Sequence, residues 1–169
     1  MKSGSKTLKK DGCYGIDFED VTFNYTGGGK DALTSVNLHL EPGMVNAFVG
    51  PSGAGKTTAV QLLGRYWDTT GGTIKVGGVP ITDLKTENLM DLTAFVFQDV
   101  FLLEDTLLEN IRMGTNASEE EVRQAARAAQ IDDFIMGLPK GYQTRIGDEG
   151  VKLSGGQQQR ISIARAILK

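Results

Sequence analysis

The residues best suited to chemistry stand together, in Gly50-Pro51-Ser52-Gly53-Ala54-Gly55-Lys56-Thr57-Thr58. Their spacing fits G-x-x-x-x-G-K-[ST], the phosphate-binding P-loop. Glycines at 50, 53 and 55 let backbone N–H groups turn inward and approach phosphate oxygens with no Cβ in the way. A helix opening near Lys56 adds the positive end of its dipole and its unsatisfied N–H groups. Lys56 supplies a point charge for β- and γ-phosphates, and the Thr57 hydroxyl suits Mg²⁺. The bland alternative is a glycine-rich turn that happens to carry a lysine. Its flanks argue against that: Val45-Asn46-Ala47-Phe48-Val49 reads as a buried strand before the loop, and Ala59-Val60-Gln61-Leu62-Leu63 as an amphipathic helix after it.

A second helix start lies at Leu153-Ser154-Gly155-Gly156-Gln157. Ser154 is a good N-cap, and the N–H groups of Gly155 and Gly156 suit an anion. Taken alone, an ordinary capped helix start is the favoured explanation, since Ser-Gly-Gly is common in loops. The chain's one histidine, His39, falls on the polar face of a strand and reads as a solvated bystander; a metal site or triad built on a second histidine is excluded.

The remaining elements must position these two turns. Residues 1–13 are rich in Lys, Ser and Gly and are expected to be a disordered linker. Ile16 and Phe18, then Val21, Phe23 and Tyr25 on the shifted phase, predict a strand with a bulge near Glu19-Asp20. Thr26 to Gly29 reads as a flexible turn, and Val36, Leu38 and Leu40 as a second strand. Apolar residues 59, 60, 62, 63, 66 and 67 extend the helix after the P-loop until Asp68 to Gly72 ends it. Thr73 to Val76, Gly77-Gly78 and Val79 to Ile81 form a hairpin, and Ala94 to Phe97 a buried strand stopping at Gln98. Capping boxes at Thr106-x-x-Glu109 and Ser118-x-x-Glu121 open helices, and Asp132-Asp133 caps a third that Pro139 to Gly141 breaks. The expected organisation is a β-subdomain with the P-loop core (14–81), a helical subdomain (82–152) and a final helix (153–169).

The totals set limits. The 169 residues are the length of one ordinary domain, with net charge −3 and pI about 5.2. That argues against holding nucleic acid or a membrane surface by general electrostatics, so anion binding must come from a local site. The lone Cys13 allows no internal disulfide and points to a reducing compartment. No secretory leader is visible, and no apolar run reaches the roughly 18 residues of a membrane span, so the polypeptide is expected to be soluble.

Together, the P-loop and Leu153-Ser154-Gly155-Gly156-Gln157 resemble the ATP-binding cassette (ABC) family, whose signature is LSGGQ. Other matches follow in the family's order. Val21 to Tyr25 looks like the A-loop, which implies that Tyr25 stacks on adenine. Gln98, in Phe97 to Phe101, looks like the Q-loop, which implies contact with Mg²⁺ and water and linkage to a membrane domain. Gly147-Asp148-Glu149-Gly150 looks like the X-loop of exporters; Asp148 stands where exporters usually carry glutamate, which weakens its implied coupling role. The resemblance covers residues 14–169 and is strongest to exporter nucleotide-binding domains. It implies an α/β fold with a P-loop core sheet, an antiparallel β-subdomain and a helical subdomain. Implied cofactors are ATP and Mg²⁺, the metal held through Thr57 and Gln98. Implied partners are a second nucleotide-binding domain, whose ATP the signature closes over, and a transmembrane domain that places the chain at the cytoplasmic face of the membrane. A soluble ABC ATPase of DNA repair or translation is the rival, and the X-loop argues against it.

The family pattern continues into an apolar strand ending in Asp-Glu (Walker B), a D-loop and a switch histidine. The 169 residues hold none of these. The expectation is a piece truncated before Walker B, an incomplete fold that binds ATP without efficient turnover.

Overall fold

The computed structural model describes residues 3–10, 12–25, 29–147 and 150–169. It divides into two compact units, Met1–Thr93 and Ala94–Lys169.

The first unit is built on a four-stranded antiparallel sheet: β1 (Ile16–Phe23), β2 (Leu33–Leu40), β3 (Gly71–Val76) and β4 (Val79–Pro80), in the order β2-β1-β3-β4. The expected bulge is present: the register of β1 slips between Phe18 and Val21, where Asp20 takes φ +50°. The slip keeps Phe18, Val21 and Phe23 all buried. Gly77 and Gly78, both at positive φ, close the β3–β4 hairpin as expected. Helix α1 (Lys56–Leu63) adds Ala59 and Leu62 to the core formed by the sheet with Ile81, Leu84 and Leu89. Leu89 comes from α2 (Thr86–Leu92).

Several local expectations fail. Helix α1 stops at Leu63, because Gly64 caps it and Arg65 turns at φ +53°; Tyr66 and Trp67 therefore leave the helix. Val45–Val49 is not a strand: Val45 is 100 % and Val49 92 % exposed. A strand exists through its ladder, and β1 to β4 pair only with one another. Ala94–Phe97 fails for the same reason, pairing with no described strand. Residues 4–6, expected to be disordered, donate to the carbonyls of Leu84 and Asp83 and accept from Lys85 N–H. The turn at 26–28 lies outside the described residues.

The second unit is helical: α3 (Leu107–Arg112), α4 (Glu119–Ala128), α5 (Asp132–Met136), a 3-10 turn (Gly141–Gln143) and α6 (Gly155–Leu168). Its core joins Leu107, Ile111, Val122, Ala126, Ile131, Ile135, Ile161 and Ala164, with α6 packed on α3 and α4. Ser118 and Ser154 each form a complete capping box. Thr106 accepts from Glu109 N–H at 3.1 Å, but its own N–H goes to Asp105 rather than to Glu109. Asp132 and Asp133 sit in the first turn of α5 behind an Ile131 cap, where their charge meets the dipole without a capping bond.

Candidate functional site

The P-loop folds tightly because its glycines permit it. Gly53 and Gly55 adopt φ of about +80° and +81°. A Cβ on Gly55 would fall 2.6 Å from the Ala32 carbonyl oxygen and 2.6 Å from Leu33 Cδ2, so only glycine lets the loop lie against the start of β2. Gly55 is also the N-cap of α1, and no side chain caps that end. The first helical bond runs from Ala59 N–H to the Gly55 carbonyl at 2.9 Å. The amides of Lys56, Thr57 and Thr58 precede it and have no intrahelical acceptor. The helix thus begins with a cluster of open donors at the positive end of its dipole.

Lys56 Nζ arches back over the loop, donating to the carbonyls of Gly50 at 2.9 Å and Pro51 at 2.7 Å. Ala54 N–H donates to the Pro51 carbonyl at 3.3 Å. Ser52 to Lys56, exposed Thr57 and buried Thr58 line a cavity of about 370 Å³ whose far side is Tyr25 and Ala32. Tyr25 is half exposed, and its hydroxyl shares a 2.9 Å hydrogen bond with Thr58 Oγ1. The structure thus joins two segments that the sequence reading linked only through the family: the aromatic after β1 and the phosphate loop. The chemistry of this donor set suits a polyanion attached to a flat ring.

The sequence reading missed the aromatic support. Phe23 meets Tyr25 edge-to-face with centroids 4.8 Å apart, and Trp67 meets it at 5.2 Å. Reading Trp67 as part of the helical stripe concealed this; the Gly64-Arg65 pair was the available signal that the chain turns there.

The other predicted residues belong to the second unit. Ser154, Gly155 and Gly156 are exposed, while Leu153 and Gln157 are half-buried. Ser154 Oγ accepts from Gln157 N–H at 3.3 Å, and Gln157 Oε1 accepts from Ser154 N–H at 2.8 Å. This end of α6 therefore caps itself, unlike α1, with Gly155 and Gly156 exposed beside the cap. Gln98 is exposed in a bend. Gln159 Nε2 donates to the Phe97 carbonyl beside it at 3.2 Å. Arg160 Nη1 donates to the Gln130 carbonyl at 3.1 Å. Asp148 lies outside the described residues.

A polar staple in this unit also escaped the sequence reading. Asn110 is fully buried; its Oδ1 accepts from Leu103 N–H, and its Nδ2 donates to the carbonyls of Leu103 and Thr106. Arg165 of α6 donates to the Asn110 carbonyl, to Asn110 Oδ1 and to the Phe101 carbonyl. Residues 101–103, just past Gln98, are thereby fastened to the signature helix. Among the described residues no cluster of three or more His, Cys, Asp or Glu is placed to hold a metal, and no helix is long and apolar enough to cross a membrane.

Comparison with known proteins identifies the family. The chain is 49 % identical over 156 residues to an ATP-dependent lipid A-core flippase of Dechloromonas aromatica (strain RCB), covering 91 % of this chain and 27 % of that protein. It is 45 % identical over 156 residues to a Bacillus subtilis (strain 168) protein, YgaD, provisionally named a multidrug export ATP-binding/permease protein, covering 92 % and 27 %. A solved bacterial Atm1-family ABC exporter with ATP bound superposes with a TM-score of 0.89 at 37 % identity, over 99 % of this chain and 29 % of that one. The chain spans about 27 % of the length of these curated relatives. Residues 33–169 match the family described as ABC transporter, and the chain belongs to that family.

Proposed function

We propose that this chain is the ATP-binding part of an ABC exporter, holding Mg²⁺-ATP on residues 50–58 with the base against Tyr25. One observation carries the reading: the first turn of α1 keeps its amides free of any side-chain cap and opens onto the cavity that Tyr25 bounds. Lys56 Nζ lies within the same loop and would exchange its two carbonyl partners for phosphate oxygens. The Thr57 hydroxyl is exposed at the helix start and would take Mg²⁺. Leu153 to Gln157 would meet the nucleotide of a second such domain, for which the exposed Gly155 and Gly156 suit a γ-phosphate. Residues 98–108, with Asp148, would meet a membrane-spanning domain. The relatives name different cargoes, lipid A-core and drugs, so the proposal stops at export.

Hydrolysis needs a group that orients the attacking water, since phosphoryl transfer relies on positioning and charge stabilisation. The sequence contains no apolar run ending in Asp-Glu. We therefore propose that this polypeptide binds ATP without efficient turnover. Calorimetric titration with Mg²⁺-ATP tests the first statement: Lys56→Ala should weaken binding roughly 10- to 100-fold, the range for a lost bond to a charged group. Unchanged affinity would refute it. Phosphate release well above background and abolished by Lys56→Ala would refute the second.

A further inference from the structure

We infer that Trp67, which the family match and the relatives leave without a role, is the positioning residue that fixes the base-binding ring of Tyr25. The inference rests on the ATP-binding reading above. Four contacts hold Tyr25, the longest a 3.5 Å hydrogen bond from its hydroxyl to Gln61 Oε1. Phe23 lies edge-to-face at 4.8 Å and is itself buried in the sheet core. The hydroxyl is bonded to Thr58 Oγ1, on the P-loop helix. Trp67 packs against the ring at 5.2 Å and an interplanar angle of 86°. Phe23 and Thr58 belong to the sheet and to the first turn of α1, and are fixed by them. Trp67 is different. It arrives by the reversal at Arg65, whose Nε is tied to Asp68 Oδ1 at 2.8 Å, and it is 40 % exposed. It is also absent from the residues lining the P-loop cavity. Its ring therefore serves Tyr25 without touching the phosphate loop.

The consequence is a separation of ligand halves. Loss of the Trp67 ring frees Tyr25 to rotate about its Thr58 bond, which weakens recognition of the base and leaves phosphate recognition intact. An edge-to-face pair contributes about 0.5–1.5 kcal/mol beyond its buried area, which corresponds to roughly a 2- to 13-fold change.

The experiment titrates the full chain calorimetrically with Mg²⁺-ATP and, separately, with Mg²⁺-tripolyphosphate, using wild type, W67L, W67F and K56A. The expected result is ATP binding weakened roughly 2- to 13-fold in W67L, tripolyphosphate binding unchanged, and ATP affinity largely restored in W67F. Retained tripolyphosphate binding shows that W67L is folded. Equal affinity of W67L and wild type for ATP would overturn the inference. A parallel loss of both ligands would also overturn it, by assigning Trp67 to stability alone. If K56A binds both ligands as wild type does, the P-loop reading itself fails and this inference with it; K56A weak with W67L normal sinks only the inference.

Discussion

Gly55 and Lys56 are neighbours with opposite demands. Gly55 must have no side chain, since a Cβ would meet the Ala32 carbonyl and Leu33 at 2.6 Å while φ stays at +81°. Gly55→Ala is expected to cost at least the roughly 1–2 kcal/mol of a left-handed residue, plus the clash; a urea melt reads the loss, and an unchanged midpoint would contradict the geometry. Lys56 needs its full side chain, because the same ammonium that now bonds Gly50 and Pro51 is the charge proposed for phosphate. His39 offers a residue-scale test away from the site. It lies opposite Asp17 in the β1–β2 register, with Nδ1 2.5 Å from Asp17 Oδ1 and Nε2 3.6 Å from Glu41 Oε1. The hydrogen bond to Asp17 raises its pKa above the ordinary 6.5. A raised folded pKa means the protonated pair supports the fold fully below about 6.5, and that support is lost as pH climbs through the folded value. NMR titration should place His39 above 6.5, and Asp17→Asn should bring it back down; no change on substitution would remove Asp17 as the cause.

At the scale of elements, what was legible in the sequence was local. Ser118 and Ser154 announce their helices because cap and partner are three residues apart, and the β1 bulge announces itself because the apolar phase visibly shifts. Strands 45–49 and 94–97 were not legible in the same way: their apolar runs are consistent with strands, but a strand also needs a neighbour, and that information is not local. Asn110 and Arg165 were missed for a related reason, since a polar residue in mid-helix gives no hint of a partner 55 positions away. The P-loop lay between: its residue types and spacing pointed to the proposed chemistry, while the bond from Tyr25 to Thr58 and the packing of Trp67 on Tyr25 appeared only in three dimensions. The staple makes its own prediction. Asn110→Ala removes the fully buried amide and leaves Leu103 N–H and part of Arg165 without partners in a part-buried place, costing about 2–4 kcal/mol. The melting temperature should fall by roughly 5–15 °C; a shift under a degree would show that water replaces the amide freely. Ser154→Ala should cost about 1 kcal/mol as a lost cap.

At the scale of the whole molecule, two helices start in contrasting ways. The end of α1 is left open by Gly55, while the end of α6 is closed by its own Ser154-Gln157 box and is exposed at Gly155 and Gly156. The first suits a ligand bound within one chain; the second suits a ligand presented by another. This is the physical content of the proposed pairing: each nucleotide is gripped by α1 of one domain and covered by α6 of the next. Pairing should therefore depend on ATP, and replacing Gly156 with Asp, which sets a carboxylate against the γ-phosphate, should abolish it while leaving ATP binding by the separate chain unchanged. Sedimentation velocity with and without Mg²⁺-ATP checks this, and pairing that ignores either ATP or the substitution would contradict it.

The most direct test of the central claim is a ¹H–¹⁵N amide-shift titration of the chain with Mg²⁺-ATP. The account predicts the largest shifts at Gly53, Gly55, Lys56, Thr57 and Thr58, the open donors of the loop and of the first turn of α1. Silent amides at these positions, with saturable shifts elsewhere, would contradict it.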